Sequence, residues 1–150
     1  MTRWVAFAAL AIAALAAACS NATDTGTGCQ ISSAPLPVLL YPAPFSTGIT
    51  DNPMIIGIYR LAGANGTVQL IPSPSPSTTP VVITSSNFAP ASPLPLPSPA
   101  ASAPAGATIE SATIASLQPG TQYTVNFVHG PQPPCGPQQP SGLIGTFTTQ

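Results

Sequence analysis

Proline is the residue that most restricts the fold of this chain of 150 residues. All 21 prolines lie between Pro35 and Pro140. A proline inside a helix removes a backbone hydrogen bond and clashes with the preceding turn. We therefore expect this region to lack long helices and to consist of short strands joined by turns.

Short apolar clusters separated by glycine, proline and asparagine fit that expectation. In one cluster Tyr123, Val125 and Phe127 share a face, and polar residues occupy the other. The pattern predicts an all-β fold, a β-sandwich of seven strands. The predicted strands are Val38–Tyr41, Met54–Arg60, Thr67–Ile71, Val81–Thr84, Thr108–Ala115, Gln122–Val128 and Leu143–Thr149.

Two proline-rich loops interrupt the predicted domain, which covers residues 29–150. The first, 72–80, begins with a Pro-Ser repeat, and the second, 85–106, contains the sequence PLPLPSP. Such runs favour the extended polyproline conformation. We expect both to be surface spacers, with docking to an aromatic groove of a partner as an alternative. A further alternative is that Leu94 and Leu96 pack along a sheet edge.

Residues 1–18 have the three parts of a secretory signal peptide. Arg3 gives a positive start, residues 4–15 are mostly apolar, and three alanines precede Cys19. The apolar part is shorter than the about 20 residues that a transmembrane helix needs. We therefore expect the chain to be exported.

The residues around Cys19 resemble a bacterial lipobox, in which the cysteine is lipidated and becomes the new N-terminus. Leu15 lies one position farther from the cysteine than in the usual pattern. The small polar residues 20–28 are typical of a flexible tether, which reaches roughly 30 Å when extended. Lipidation would place the protein on a membrane of the cell envelope, either periplasmic or surface-exposed. The alternatives are cleavage without lipidation, which yields a secreted protein, and an uncleaved anchor.

Charged residues make up only 3% of the chain, and it contains no lysine. The composition therefore lacks the basic footprint of a nucleic-acid-binding protein and the lysine of a phosphate-binding loop. No zinc-ligand spacing occurs either. The residues Asp24, Asp51, Arg60, Glu110 and His129 form no catalytic pattern, and we expect Glu110 and His129 to face solvent. The sequence predicts a protein that is not an enzyme and that has no cofactor and no metal site.

The segment around the sixth predicted strand resembles a fibronectin type III domain. Its sequence, LQPGTQYTV over 117–125, is similar to the turn before strand F and to the start of that strand. In this family a tyrosine hydroxyl bonds back to the backbone of the preceding turn, an arrangement called the tyrosine corner. The segments 40–44 and 145–149 add to the resemblance, which implies an Ig-like (fibronectin type III-like) sandwich in a bacterial lipoprotein. The resemblance assigns the tyrosine corner to Leu117, Pro119, Gly120 and Tyr123.

Lipidation of Cys19 leaves Cys29 and Cys135 as the remaining cysteines. If successive strands alternate in direction, the start of the first strand and the loop between the sixth and seventh lie at one pole. Cys29 precedes the first predicted strand, and Cys135 lies in that loop. We therefore predict a disulfide between Cys29 and Cys135 in the oxidising envelope, with two free thiols as the alternative.

These features predict a non-catalytic, envelope-anchored lipoprotein whose Ig-like module contacts a protein or another component of the envelope. Its expected partners are the membrane, through the N-terminal lipid, and an unknown protein or envelope glycan, but not nucleic acid. The alternative function is a carbohydrate-binding accessory module. Such a site needs exposed aromatic side chains, and Tyr59 and Phe88 are the candidates.

Overall fold

The computed structural model describes residues 31–50, 54–59, 65–74, 79–91, 95–114 and 116–150. In these segments helical structure is limited to one 3₁₀ turn at Ser85–Asn87. The remaining regular structure is strand, which confirms the all-β prediction. The strands are β1 (Ile31–Ser33), β2 (Val38–Tyr41), β3 (Ser46–Ile49), β4 (Met54–Tyr59), β5 (Gly66–Ser73), β6 (Val81–Thr84), β7 (Ala89–Pro90), β8 (Ile109–Ile114), β9 (Gln122–His129), β10 (Gly136–Gln138) and β11 (Gly142–Thr149).

Two main sheets contain nine of these strands. A five-stranded sheet has the order β3-β11-β9-β5-β6, and a four-stranded sheet has the order β2-β4-β8-β7. Neighbours within them are antiparallel, except that β3 lies parallel to β11. The strands β1 and β10 form a separate parallel pair. This two-sheet architecture is consistent with an all-β sandwich.

Each of the seven predicted strands corresponds to an observed strand, with ends that agree within two residues where both are described. The described residues contain four further strands, β1, β3, β7 and β10, of two to four residues each. Each of these four segments contains at most one large apolar residue, so none of them shows an alternation of apolar and polar side chains. They form because a distant partner strand lies beside them, which local sequence does not reveal.

The inner faces of the two sheets contribute to one hydrophobic core. Met54, Ile56 and Ile58 of β4 share the buried inner face, and alternate residues of β9 are buried, as the period of two in these sequences predicts. The rings of Tyr123 and Phe147 stack within this core, with centroids 5.6 Å apart. The most deeply buried apolar residues include Leu39, Met54, Ile56, Ile58, Val68, Leu70, Val125, Phe127 and Phe147.

The first proline-rich loop begins later than predicted, because β5 continues through Pro72 and Ser73. Pro72 is buried and pairs with Tyr123 of β9. The other neighbour, β6, pairs with β5 only as far as Leu70. Pro72 therefore lies where β5 has a partner on one side alone, and a missing amide donor costs little there.

One end of the two-sheet body is where the described chain begins. Val38 pairs with Tyr59, and Tyr59 pairs with Ile109, so β2 and β8 begin where β4 ends. In the other sheet β5 begins where β9 ends. Leu36, between β1 and β2, packs over Gly142 at the start of β11 and so joins the two sheets at this end. We call this end the N-terminal pole.

The N-terminal features predicted from the sequence lie outside the described residues. They are the signal peptide over 1–18, the lipidation site Cys19, the tether over 20–28 and the bridging residue Cys29. These assignments stay predictions.

Candidate contact surface

A segment of the second proline-rich loop packs against the four-stranded sheet. This segment, residues 95–101, is called the proline strap below. The amide of Ala43 donates a hydrogen bond to the carbonyl of Pro99 at 3.0 Å, and the amide of Ala101 donates to the carbonyl of Leu40 at 2.7 Å. Both bonds lie beside β2, which is the edge strand of its sheet. The strap thus occupies backbone groups that an exposed edge would offer to another chain.

The strap also covers part of the outer face of the four-stranded sheet. Gly57 of β4 is buried, and a Cβ built on it would lie 2.6 Å from Cδ1 of Leu96. Leu96 is half-buried and packs against the core cluster. The leucine between prolines therefore fills the space above a strand position that has no side chain. The second loop was predicted as a surface spacer, with packing of Leu94 and Leu96 along a sheet edge as an alternative. Leu96 is packed, and Leu94 lies outside the described residues.

Among the described residues, none covers the outer face of the five-stranded sheet in a comparable way. Its central row runs across four strands as Val82, Gln69, Asn126 and Leu143, which are register partners in that order. The side chains of Val82 and Leu143, at the two ends of the row, are 51% and 57% exposed. Every residue of this row retains exposed surface, in contrast to buried Gly57 on the other sheet.

We call this surface the open face, and none of its outward side chains is charged. Threonine hydroxyls and the amides of asparagine and glutamine alternate with aliphatic groups. Hydroxyl and amide groups can both donate and accept hydrogen bonds, but they supply no general acid or base at neutral pH. The outward residues are Thr67, Gln69 and Ile71 of β5, Val82 and Thr84 of β6, Gln122, Thr124, Asn126 and Val128 of β9, and Leu143, Thr146 and Thr148 of β11.

The residues assigned to the tyrosine corner lie at the pole opposite the N-terminal pole. The amide of Gln118 donates a hydrogen bond to the hydroxyl of Tyr123 at 2.9 Å. Leu117 is 5% exposed and belongs to the core, while Pro119 is exposed. Gly120 has a φ of +60°, which suits glycine because it lacks a Cβ. This turn is a structural element, and it contains no charged side chain.

The hydroxyl of Thr149 holds the same turn from the last strand. It donates to the carbonyl of Gln118 at 2.6 Å and accepts a bond from the amide of Thr121 at 2.9 Å. Thr149 is 3% exposed. A polar side chain is tolerated at this depth because its hydroxyl is satisfied. The sequence does not predict this role of Thr149, since one threonine among several in β11 carries no local signal.

Cys135 lies in the loop between β9 and β11, is exposed, and is disulfide-bonded. Its partner is outside the described residues. The strand that follows Cys135, β10, pairs in parallel with β1, and Gly136 is opposite Ile31. Within the loop, the side-chain amide of Gln132 bonds to both the amide and the carbonyl of Gln139. The loop is therefore held by hydrogen bonds and by strand pairing, although it is rich in proline.

The charged and titratable residues considered for catalysis do not come together in the described part of the chain. Asp24, Asp51 and Arg60 lie outside it. His129 is exposed at the end of β9, and its Nδ1 lies 2.8 Å from the carbonyl oxygen of Gly130. Among described residues, no group of three or more His, Cys, Asp or Glu side chains is close enough to hold a metal ion.

The expectation that Glu110 faces solvent is wrong. Glu110 pairs with Ile58, and it alternates along β8 with the outward residues, so it shares the inner side with Ala112. Its Oε2 atom is buried. The sequence suggested an outward side chain because glutamate interrupts an apolar stretch, but the register of β8 against β4 places it inward.

The aromatic residues do not assemble into an exposed platform in the described segments. Tyr41, Tyr123, Phe127 and Phe147 are buried in the core. The two candidates for stacking on a sugar are Tyr59 and Phe88. Both are half-buried, and Phe88 packs against the core. Phe45 is 81% exposed, but it lies at the crossing from β2 to β3, where its amide donates to the carbonyl of Thr146.

Two small cavities lie beside Val81 at the edge of the five-stranded sheet. Each has a volume of about 200 Å³, and neither is lined by a charged side chain. Pockets that bind small molecules usually measure about 300–1,000 Å³. Both cavities are below this range, and the open face is a larger surface than either of them.

None of the described helical structure is long and apolar enough to cross a membrane. No protein-family model matches the chain, and no curated protein or solved structure matches it significantly.

Proposed function

We propose that this chain is an exported lipoprotein, anchored through Cys19, whose Ig-like (fibronectin type III-like) sandwich is a non-catalytic contact module of the bacterial envelope. The observation that carries the proposal is the difference between the two outer sheet faces. The proline strap covers part of the outer face of the four-stranded sheet, whereas the open face presents uncharged hydrogen-bonding and aliphatic side chains. A protein that acts by contact needs such a surface and needs no catalytic cluster.

The strand order supports the Ig-like assignment. An Ig sandwich places strands A, B, E and D in one sheet and strands G, F and C, with added C′, in the other. The orders β2-β4-β8-β7 and β11-β9-β5-β6 follow this arrangement, with β3 as a second part of strand A. The hydrogen bond from Gln118 to the Tyr123 hydroxyl supports it further, since a tyrosine near the start of strand F makes this bond in the family.

The pairing of β1 with β10 supports the predicted bridge. Ile31 is opposite Gly136, and Cys29 stands two positions before Ile31, as Cys135 stands one before Gly136. Because Cys135 is disulfide-bonded, a cysteine close to this register is the expected partner. A bridge here would fix the start of the domain to the loop nearest the tether.

A neutral protein is the partner that the open face fits best. Anionic polymers and lipid headgroups are usually bound by arginine or lysine, and the open face has neither. Sugar binding usually relies on exposed aromatic rings, and the open face has none. Its mixture of hydroxyls, amides and aliphatic groups matches the uncharged part of another protein surface.

Site-specific crosslinking in the native envelope tests this function. A photoreactive amino acid replaces Asn126 on the open face, and in the control it replaces Thr113, which is exposed on the other sheet. We expect a defined protein adduct from position 126 but not from 113, and we expect Thr124→Arg to abolish it without changing the thermal melt. Equal adducts at both positions, or no adduct at 126, would refute the contact role.

A further inference from the structure

The central row of the open face is self-complementary. Its order, Val82, Gln69, Asn126 and Leu143, has an aliphatic residue at each end and an amide at each inner position. A two-fold axis that runs parallel to the strands, between β5 and β9, exchanges β5 with β9 and β6 with β11. Under this operation Val82 of one copy faces Leu143 of the other, and Gln69 faces Asn126.

We propose that the partner of the open face is a second copy of this chain, packed face to face about that two-fold axis. The inference rests on the contact role proposed above and names its partner. Amides that meet across the axis can exchange hydrogen bonds, because each has donors and an acceptor. Val82 and Leu143, half-exposed in one copy, bury each other at both ends of the row. An isologous interface requires this reciprocity.

Charge does not oppose the pairing. The open face carries no charged residue, and the whole chain has a net charge of −1. Long-range repulsion between copies is therefore small. The strands β5 and β9 are eight residues long, but β6 is four residues long and limits the contact with β11 on each side of the axis. At about 4.8 Å between strands and 3.3 Å per residue, the two faces together bury about 750 Å², an area typical of a weak or transient interface.

The direction of the axis suits anchoring in one membrane. Rotation about an axis parallel to the strands leaves the N-terminal poles of both copies at the same end of the pair. Both tethers can then reach one membrane surface. Confinement to that surface raises the effective concentration of the second copy, which offsets the modest area.

Mixed disulfide formation between two differently tagged full-length chains tests the pairing. One chain carries Val82→Cys and the other carries Leu143→Cys, and both are expressed together in the envelope. We expect a disulfide-linked mixed dimer, since these residues face each other across the axis. Each variant expressed alone should form far less disulfide-linked dimer. The two copies of residue 82 lie at opposite edges of the interface, and so do the two copies of residue 143.

Phe45→Cys is the matched control, since Phe45 is 81% exposed but lies off the open face. If it links to Val82→Cys as readily as Leu143→Cys does, or if no mixed dimer forms, the pairing is refuted. Gln69→Arg on both chains should abolish the mixed dimer while leaving the thermal melt unchanged. A foreign protein crosslinked at Asn126 without this mixed dimer would retain the contact role and overturn self-pairing. Failure of both experiments would overturn both proposals.

Discussion

The side chain of Leu96 lies directly over Gly57, with its Cδ1 2.6 Å from the position that a Cβ on Gly57 would take. The central strand β4 thus has a glycine at the position where Leu96 of the proline strap packs. This contact, together with the two backbone bonds from the strap to the neighbourhood of β2, covers part of the outer face of the four-stranded sheet. In the described part of the chain, the open face has no such cover, and it is the surface that we propose for contact with a partner.

Gly57→Ala should destabilise the fold by about 1–3 kcal/mol, because the added methyl group displaces Leu96. Leu96→Ala should cost about 1–2 kcal/mol through lost burial. The double variant should cost less than the sum, since the shortened side chain at position 96 leaves room for the new methyl group. Urea unfolding of all four proteins measures this coupling. As the control, the effects of Gly57→Ala and Val82→Ala on the free energy of unfolding should add within about 0.5 kcal/mol. If the effects of Gly57→Ala and Leu96→Ala also add, the packing of Leu96 over Gly57 is contradicted.

Tyr123→Phe should lower stability by about 1–2 kcal/mol. The variant keeps the buried ring but leaves the amide of Gln118 without the hydroxyl that it donates to. Tyr59→Phe is the control, because Tyr59 is only half-buried, and it should have little effect. Thermal unfolding monitored by circular dichroism compares the two. A loss in Tyr59→Phe equal to that in Tyr123→Phe would argue against a specific role for this bond.

Stability should fall at alkaline pH in a way that depends on Tyr41. Burial raises the pKa of the Tyr41 hydroxyl above its usual value of 10.0, because the ionised form is disfavoured away from water. A pKa raised in the folded state means that the folded chain holds this proton more tightly than the unfolded chain. The stabilisation that this proton gives to the fold is therefore complete below pH 10, near the pKa of tyrosine in the unfolded chain. It is lost as the pH rises through the higher pKa of Tyr41 in the folded chain. Tyr41→Phe should flatten the decline in unfolding free energy above pH 10, and an unchanged decline would be inconsistent with this cause.

Non-reducing mass spectrometry of the exported protein should identify a peptide that joins Cys29 to Cys135. In the chain-entropy model, a bridge that closes a loop of about 100 residues stabilises the fold by up to roughly 4.7 kcal/mol. Cys29→Ser and Cys135→Ser should therefore lower the melting temperature to the same extent, and the double variant should add nothing further. Alkylation of both cysteines without prior reduction would refute the pairing.

Metabolic labelling with an alkyne fatty acid should mark the processed chain, and Cys19→Ala should abolish the label. Lipid addition requires the cysteine that follows the cleavage region of residues 16–18. Cys135→Ser is the matched control and should remain labelled. A label that persists in Cys19→Ala would place the lipid elsewhere, and an unlabelled but correctly cleaved wild-type chain would indicate a secreted protein.

The alternation of apolar residues was enough to predict the long strands and their buried faces. In β9, every second residue is large and apolar and the residues between them are mostly polar, so only one face of this strand can be buried. The tyrosine corner before β9 was predicted from the resemblance of residues 117–125 to a fibronectin type III domain, in which proline, glycine and tyrosine stand at fixed offsets. These are local signals, since each depends on residues within one strand or turn.

Tertiary structure alone decided which outer face is covered. Leu96 and Gly57 are 39 positions apart, and nothing near either residue indicates that they meet. The short strands β1, β3, β7 and β10 and the inward position of Glu110 likewise depend on strand partners distant in sequence. Local periodicity shows which side chains avoid water, but only the register between distant strands shows what they pack against.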